Sequence, residues 1–193
     1  MNSNKKDYLL TVPNFLSSLR ILLVPVFILM ITHHKTITAF VVFLIAASTD
    51  LLDGITARAM NQKSKLGSYL DPAGDKLLMI CSFIILSFPE FSSPNVIPLW
   101  LTIIVVARDV FIAIIAFFLY KFRGKNAFMP SSLGKTCTFS QMGVVMIVLF
   151  FNSIQTSPFF LFGLYIFVLI LTILSGLHYF IIGFRTDQPQ KDN

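Results

Sequence analysis

Long runs without charge alternate along this chain with short polar breaks, and the breaks set the elements. Apolar runs predict helices over 14–32, 37–59, 67–88, 97–120, 133–152 and 158–182. The first stops at Thr32-His33-His34-Lys35, the second carries charge in its last third, and the third ends before Pro89. At 1.5 Å per residue each run matches a bilayer core of about 30 Å. The pattern predicts an all-α integral membrane protein with six transmembrane helices. No internal repeat is visible, and the loops at 33–36, 89–96 and 152–158 leave no room for an extramembrane domain. Residues 1–193 therefore read as a single membrane-embedded domain with polar tails at 1–12 and 184–193. Arg20 interrupts the first apolar run and no small-residue cleavage site follows closely, so that run reads as a mature helix rather than a signal peptide.

Composition agrees. Charged residues make up 12% of the 193, about half the share of a soluble domain, and 55% are hydrophobic. Of the 15 Lys and Arg, Lys35 falls in the loops of one side and Arg108 inside the fourth helix. The rest gather in the termini, the loops between helices two and three and between four and five, and the adjoining helix ends. By the positive-inside rule both termini and these loops face the cytoplasm, in a cytoplasmic (inner) membrane. The net charge of +6 is then a property of loops near anionic headgroups, and nucleic acid is not an expected partner. Cys81 and Cys137 lie in apolar stretches, so no disulfide framework is implied.

Four aspartates stand out against this background. They occur as Asp50-x-x-Asp53-Gly54-x-x-Ala57-Arg58, eight residues, then Gly67-x-x-x-Asp71-x-x-x-Asp75. Residues three and four apart share a helix face, so each pair lines one face of its helix. The link between the helices is short, which makes them antiparallel neighbours with both pairs at the cytoplasmic end. Four carboxylates there repel one another and pay for desolvation. A hard divalent cation relieves both costs, and carboxylate oxygens suit Mg²⁺ or Mn²⁺. Gly54, Ala57 and Gly67 leave space for a flat ring or a phosphate, and Arg58 is a fixed cation suited to phosphate. Together these residues describe a pyrophosphate site, for a nucleotide lipid or an isoprenoid diphosphate. Solvated loop residues or helix caps also produce acidic pairs, but not four at this spacing with interleaved glycines and a following arginine.

The eight fixed positions from Asp50 to Asp75 resemble the signature of the CDP-alcohol phosphotransferases without a departure. The resemblance implies the six-helix CDP-alcohol phosphotransferase fold, a homodimer, and a two-metal site facing the cytoplasm. It further implies transfer of a phosphatidyl group from CDP-diacylglycerol to an alcohol, with release of CMP. It assigns Asp50, Asp53 and Asp71 to the metals. Asp75 resembles the family's general base, a role it combines with metal contact.

Three further features bear on the acceptor. Asn14-x-x-Ser17-x-x-Arg20-x-x-x-x-Pro25 resembles the opening of bacterial phosphatidylglycerophosphate synthases, which places Asn14 and Ser17 beside the CDP-lipid. Its bland alternative is an amphipathic first helix with a snorkelling Arg20. Arg108-Asp109 supplies the only charges within helix four, either facing a cavity that takes an anionic acceptor or forming a structural ion pair. Gly134-Lys135-x-x-Thr138-x-x-Gln141 resembles the segment opening helix five in glycerol-phosphate-using members, which puts Lys135 on the acceptor phosphate. Many of those members carry a second lysine where this chain has Cys137. The resemblance thus points to glycerol 3-phosphate as acceptor, with phosphatidylglycerol, the acceptor of a related cardiolipin synthase, as the alternative.

A divalent-cation transporter also places acidic pairs on adjacent helices, but needs polar groups reaching the far side, where helices one to three are apolar. A membrane scaffold has no use for four aligned aspartates. His33 and His34 have no carboxylates near them in sequence, and His178 is a lone histidine in helix six.

Overall fold

The computed structural model describes the backbone of residues 12–60, 67–123 and 131–185, and the side chains of residues 18–49, 74–117 and 131–181. Six helices occupy the described residues, with no strand among them: α1 (Val12–Thr32), α2 (Thr36–Met60), α3 (Gly67–Leu86), α4 (Leu99–Arg123), α5 (Ser132–Ser153) and α6 (Leu161–Arg185). All six expected helices are present. Their ends differ from expectation by a few residues: α3 stops at Leu86 rather than 88, and α6 starts at Leu161, after Pro158, rather than at 158. Beyond Leu86 the chain tightens through Ser87 N–H to the Ile84 carbonyl and Phe88 N–H to the Ile85 carbonyl. The expected tails at 1–12 and 184–193 lie almost wholly outside the described residues.

Three helical stretches are long and apolar enough to cross a bilayer: Leu99–Phe117, Ser132–Ser153 and Leu161–Ile181. Shorter apolar stretches run over Ser18–Thr32 and Thr36–Thr49. Many large hydrophobic side chains point outward, among them Leu22, Val41, Ile103, Phe117, Phe162 and Ile170. Water would not tolerate so much exposed apolar surface; lipid does. The molecule is an integral membrane protein.

The chain divides into two compact units, residues 1–96 with 146–157, and residues 97–145 with 158–193. In the first, α1 packs against both α2 and α3. Val24, Phe27 and Ile31 of α1 meet a buried set of Ala39, Phe43 and Ala46 on α2 and Leu78, Phe83 and Leu86 on α3. The Phe27 and Phe43 rings are tilted 52° with centroids 5.8 Å apart, an arrangement aromatic pairs favour. The α1–α2 turn is closed by His34 in the left-handed region at φ 57°, with Lys35 N–H bonded to the Met30 carbonyl and His34 N–H to that of Ile31. The same closure recurs after α5, where Gln155 has φ 53°.

A polar lock secures the 87–96 segment in this unit. Asn152 Oδ1 accepts from the Asn95 backbone N–H at 2.8 Å and from Asn95 Nδ2 at 2.9 Å. Asn152 Nδ2 donates to Ser92 Oγ and to the Asn95 carbonyl, both at 2.9 Å. Ser92, Asn95 and Asn152 are all buried, and every polar group of the Asn152 amide is matched. In the second unit α4 packs against α6.

Candidate active site

In the first unit the four aspartates sit on the two helices expected. Positions 50 and 53 are one turn apart on α2, and positions 71 and 75 one turn apart on α3. The side chains of Asp50, Asp53, Gly54, Ala57, Arg58, Gly67 and Asp71, and those of Asn14 and Ser17 on α1, lie outside the described residues.

Asp75 is described, and its partner was not foreseen. Arg20 of α1 donates from Nη1 to Asp75 Oδ1, closing an ion pair across 55 positions of sequence. Arg20 Nε also donates to the Ala46 carbonyl of α2 at 3.3 Å. The Thr49 hydroxyl, one turn further along α2, donates to the same carbonyl at 2.6 Å. One guanidinium therefore ties three helices together. Ala46 and Ala47, small and buried, let the arginine reach the α2 backbone. Arg20 is 1% exposed, so the snorkelling alternative does not hold: the charge is turned inward and matched rather than carried to the surface. The Asp75 side chain keeps 36% of its exposure. With Oδ1 held by Arg20, its carboxylate has a fixed direction while solvent still reaches it.

The second unit holds Arg108 and Lys135. Arg108 Nη1 pairs with Asp109 Oδ1 at 2.7 Å, and Nη2 donates to the Ser175 hydroxyl of α6. Both charged residues are buried. The structural ion pair is thus present, but it does not consume the whole guanidinium: Arg108 Nε is buried without a partner among the described residues. Arg108 also lines an open groove of about 350 Å³ along α4 and α6, otherwise formed by Ile104, Ala107, Phe111, Thr172, Ile173 and Gly176.

At the start of α5, Ser131 caps the helix, its hydroxyl accepting from Gly134 N–H at 3.0 Å. Lys135 follows, exposed and in no ion pair among the described residues. Cys137 is fully buried, with Thr172 Oγ1 of α6 at 3.6 Å and Gln141 Nε2 at 3.4 Å. Cys137, where the resemblance to glycerol-phosphate-using members led to the expectation of a second lysine, is here a helix–helix contact. Among the described residues no group of three or more His, Cys, Asp or Glu gathers as a metal cluster; Asp50, Asp53 and Asp71 fall outside that set.

With this arrangement in view, similarity to known proteins is informative. Residues 10–181 match the family model of the CDP-alcohol phosphatidyltransferases, and the chain belongs to that family. It is 29% identical over 182 residues to the CDP-diacylglycerol–glycerol-3-phosphate 3-phosphatidyltransferase of Wigglesworthia glossinidia brevipalpis, covering 91% of this chain and 96% of that one. It is 34% identical over 142 residues to the cardiolipin synthase (CMP-forming) of Streptomyces coelicolor, covering 70% of this chain. A cardiolipin synthase (CMP-forming) of Rattus norvegicus is 43% identical over 126 residues, 65% of this chain and 39% of that one. The chain spans 63% of the Streptomyces protein's length.

Proposed function

We propose that this protein is a divalent-metal-dependent phospholipid-synthesising transferase. It moves the phosphatidyl group of CDP-diacylglycerol to an alcohol and releases CMP. The observation that carries the reading is the Asp50–Asp75 signature within a chain of this family, with Asp75 held by a buried arginine. The acceptor we assign is glycerol 3-phosphate, the acceptor in the name of the Wigglesworthia relative, which makes this chain a phosphatidylglycerophosphate synthase.

Asp50, Asp53 and Asp71, with Asp75, would hold two Mg²⁺ or Mn²⁺ ions. The donor set fits: carboxylate oxygens from two successive helices, one turn apart on each. When bound, the ions neutralise the pyrophosphate and ease departure of CMP. The remaining work falls to the chain. Gly54, Ala57 and Gly67 admit the CDP moiety beside the helix backbones, with Arg58, Asn14 and Ser17 as further contacts. Asp75, aimed by Arg20, takes the proton of the acceptor hydroxyl. The hydroxyl oxygen bonds to the phosphatidyl phosphorus, the bond from that phosphorus to the CMP oxygen breaks, and CMP leaves with the electron pair. Arg108 and Lys135 bind the acceptor phosphate. We further propose that all six helices span the inner membrane, that both termini and the site face the cytoplasm, and that the protein is a homodimer.

Phosphatidylglycerol is the second acceptor reading, and one observation favours it: the groove beside Arg108 is lined mostly by apolar side chains, as an acyl chain prefers. Cation transport finds less support, because the α1–α3 interior away from Asp75 is filled by Phe27, Ile31, Phe43, Phe83 and Leu86, none of them exposed. The deciding experiment supplies purified protein with CDP-diacylglycerol and Mg²⁺ or Mn²⁺ and measures CMP release across acceptors. Release with glycerol 3-phosphate is expected; release with phosphatidylglycerol alone reassigns the acceptor, and none with any alcohol rejects the reading.

A further inference from the structure

Tyr179 of α6 was not singled out by sequence, yet it touches Arg108 and the helix start that carries Lys135. Its ring centroid is 5.9 Å from the Arg108 guanidinium carbon, within cation–π range. Its hydroxyl accepts from the Ser131 backbone N–H at 3.0 Å, at the cap of α5. Tyr179 is 5% exposed. Gly134 is shaped around it: a Cβ built there would lie 2.5 Å from the Tyr179 hydroxyl and 3.0 Å from the ring. The glycine next to Lys135 thus leaves the space that the tyrosine fills. A chain of contacts runs from Asp109 through Arg108 and Tyr179 to Ser131, four residues before Lys135.

We propose that Tyr179 is a positioning residue for the acceptor: it fixes the first turn of α5, and with it Lys135, at a set distance from Arg108. The ligand is the phosphate group of the acceptor alcohol, whether free in glycerol 3-phosphate or in the headgroup of phosphatidylglycerol. The inference rests on the acceptor reading above and deepens it. A hydrogen bond at the cap and a ring face on the guanidinium are separable, because phenylalanine keeps the second and loses the first.

The test follows amine acylation of Lys135 in the full-length protein by mass spectrometry. Increasing glycerol 3-phosphate is added in one arm and phosphatidylglycerol in mixed micelles in the other. In the wild type one of the two should protect Lys135, which also identifies the source of the phosphate. Tyr179→Phe should raise the half-protecting concentration by about 2-fold or more, with a ceiling of about 12-fold set by one neutral hydrogen bond. In turnover the same variant should raise KM for the acceptor while kcat and KM for CDP-diacylglycerol stay near wild type, which general damage would not produce. Gly134→Ala, which keeps the hydroxyl but pushes it aside, should act in the same direction. Protection at unchanged concentration in Tyr179→Phe, or no protection of the wild type by either phosphate, overturns the proposal. CMP release by the wild type is scored separately, so failure of the transferase reading is told apart from failure of the positioning role.

Discussion

Replacing Arg20 tests the central geometry most directly. Its guanidinium makes two described hydrogen bonds, one to the Asp75 carboxylate and one to the Ala46 carbonyl. Hydrogen bonds to charged groups contribute about 1.5–3 kcal/mol each, so complete loss of both has a ceiling of about 3–6 kcal/mol. The true cost is smaller, because Asp75 keeps 36% of its exposure and water would partly replace the lost partner. We therefore expect Arg20→Met to destabilise the protein by about 2–4 kcal/mol, with the Ala46 carbonyl keeping its Thr49 partner. Arg20→Lys retains charge but lacks the fork that serves two acceptors on different helices, and should recover part of that loss.

Turnover should fall further than stability predicts. If Arg20 aims the Asp75 carboxylate, Arg20→Met lowers kcat for CMP release by about 10² or more, as loss of an oriented general base does. The assay is CMP release at saturating CDP-diacylglycerol, with thermal unfolding in the same detergent. A double-mutant cycle with Asp75→Asn separates the roles: once the carboxylate is gone, Arg20→Met should cost little additional activity. Additive losses, or full activity in Arg20→Met with folded protein, would refute the reasoning.

Other expectations are simpler to state. Asn at Asp50, Asp53 or Asp71 should leave the protein folded but abolish CMP release, as should chelation, and full activity of any of these variants under limiting metal rejects that residue as a ligand. Lys135→Ala should raise KM for the acceptor by about 10- to 150-fold, the equivalent of one charge-assisted hydrogen bond, and leave KM for CDP-diacylglycerol near wild type; an equal rise for both would indicate a damaged site instead. Asn152→Leu removes four hydrogen bonds and takes the acceptor from the buried Asn95 backbone N–H, so the thermal midpoint should fall by about 10 °C or more, while activity per folded molecule holds.

The helices were legible in the sequence because long, mainly apolar runs are bounded by short polar breaks, and all six ended within three residues of expectation. What polar side chains inside them would meet was not legible. In a soluble helix the apolar stripe tells which face is buried. Here the lipid face is as apolar as the core, so periodicity carries little information about direction, and Arg20 could be read as turned outward or inward. Its partner lies 55 positions away, beyond any local pattern. Tyr179 and Asn152 were missed for the same reason: each is one polar group in an apolar run. The left-handed closures at His34 and Gln155 escaped because neither position carries the glycine that usually marks them.

The two arginines buried among the described residues also explain why the assigned acceptor contacts are unequal. Arg20 spends its pairing on a carboxylate from another helix, so its charge holds structure together across α1, α2 and α3. Arg108 is balanced by its own chain neighbour, Asp109, so the pair carries no net charge. An anion approaching Arg108 gains Nε, which has no partner among the described residues, but also meets the Asp109 carboxylate. A buried, pre-neutralised arginine is therefore a hydrogen-bond donor with a fixed direction more than an attractor of charge. Lys135 is the opposite, exposed and outside any described ion pair, so it supplies attraction with little direction. A phosphate held by both needs the distance between them fixed. That is the physical demand which Tyr179 and Gly134 meet, and Asp109→Asn should expose the division of labour. It frees the Arg108 charge, so affinity for the acceptor anion rises and its dependence on Lys135 weakens. An unchanged response to Lys135→Ala in the Asp109→Asn background would show that Asp109 does not screen the site.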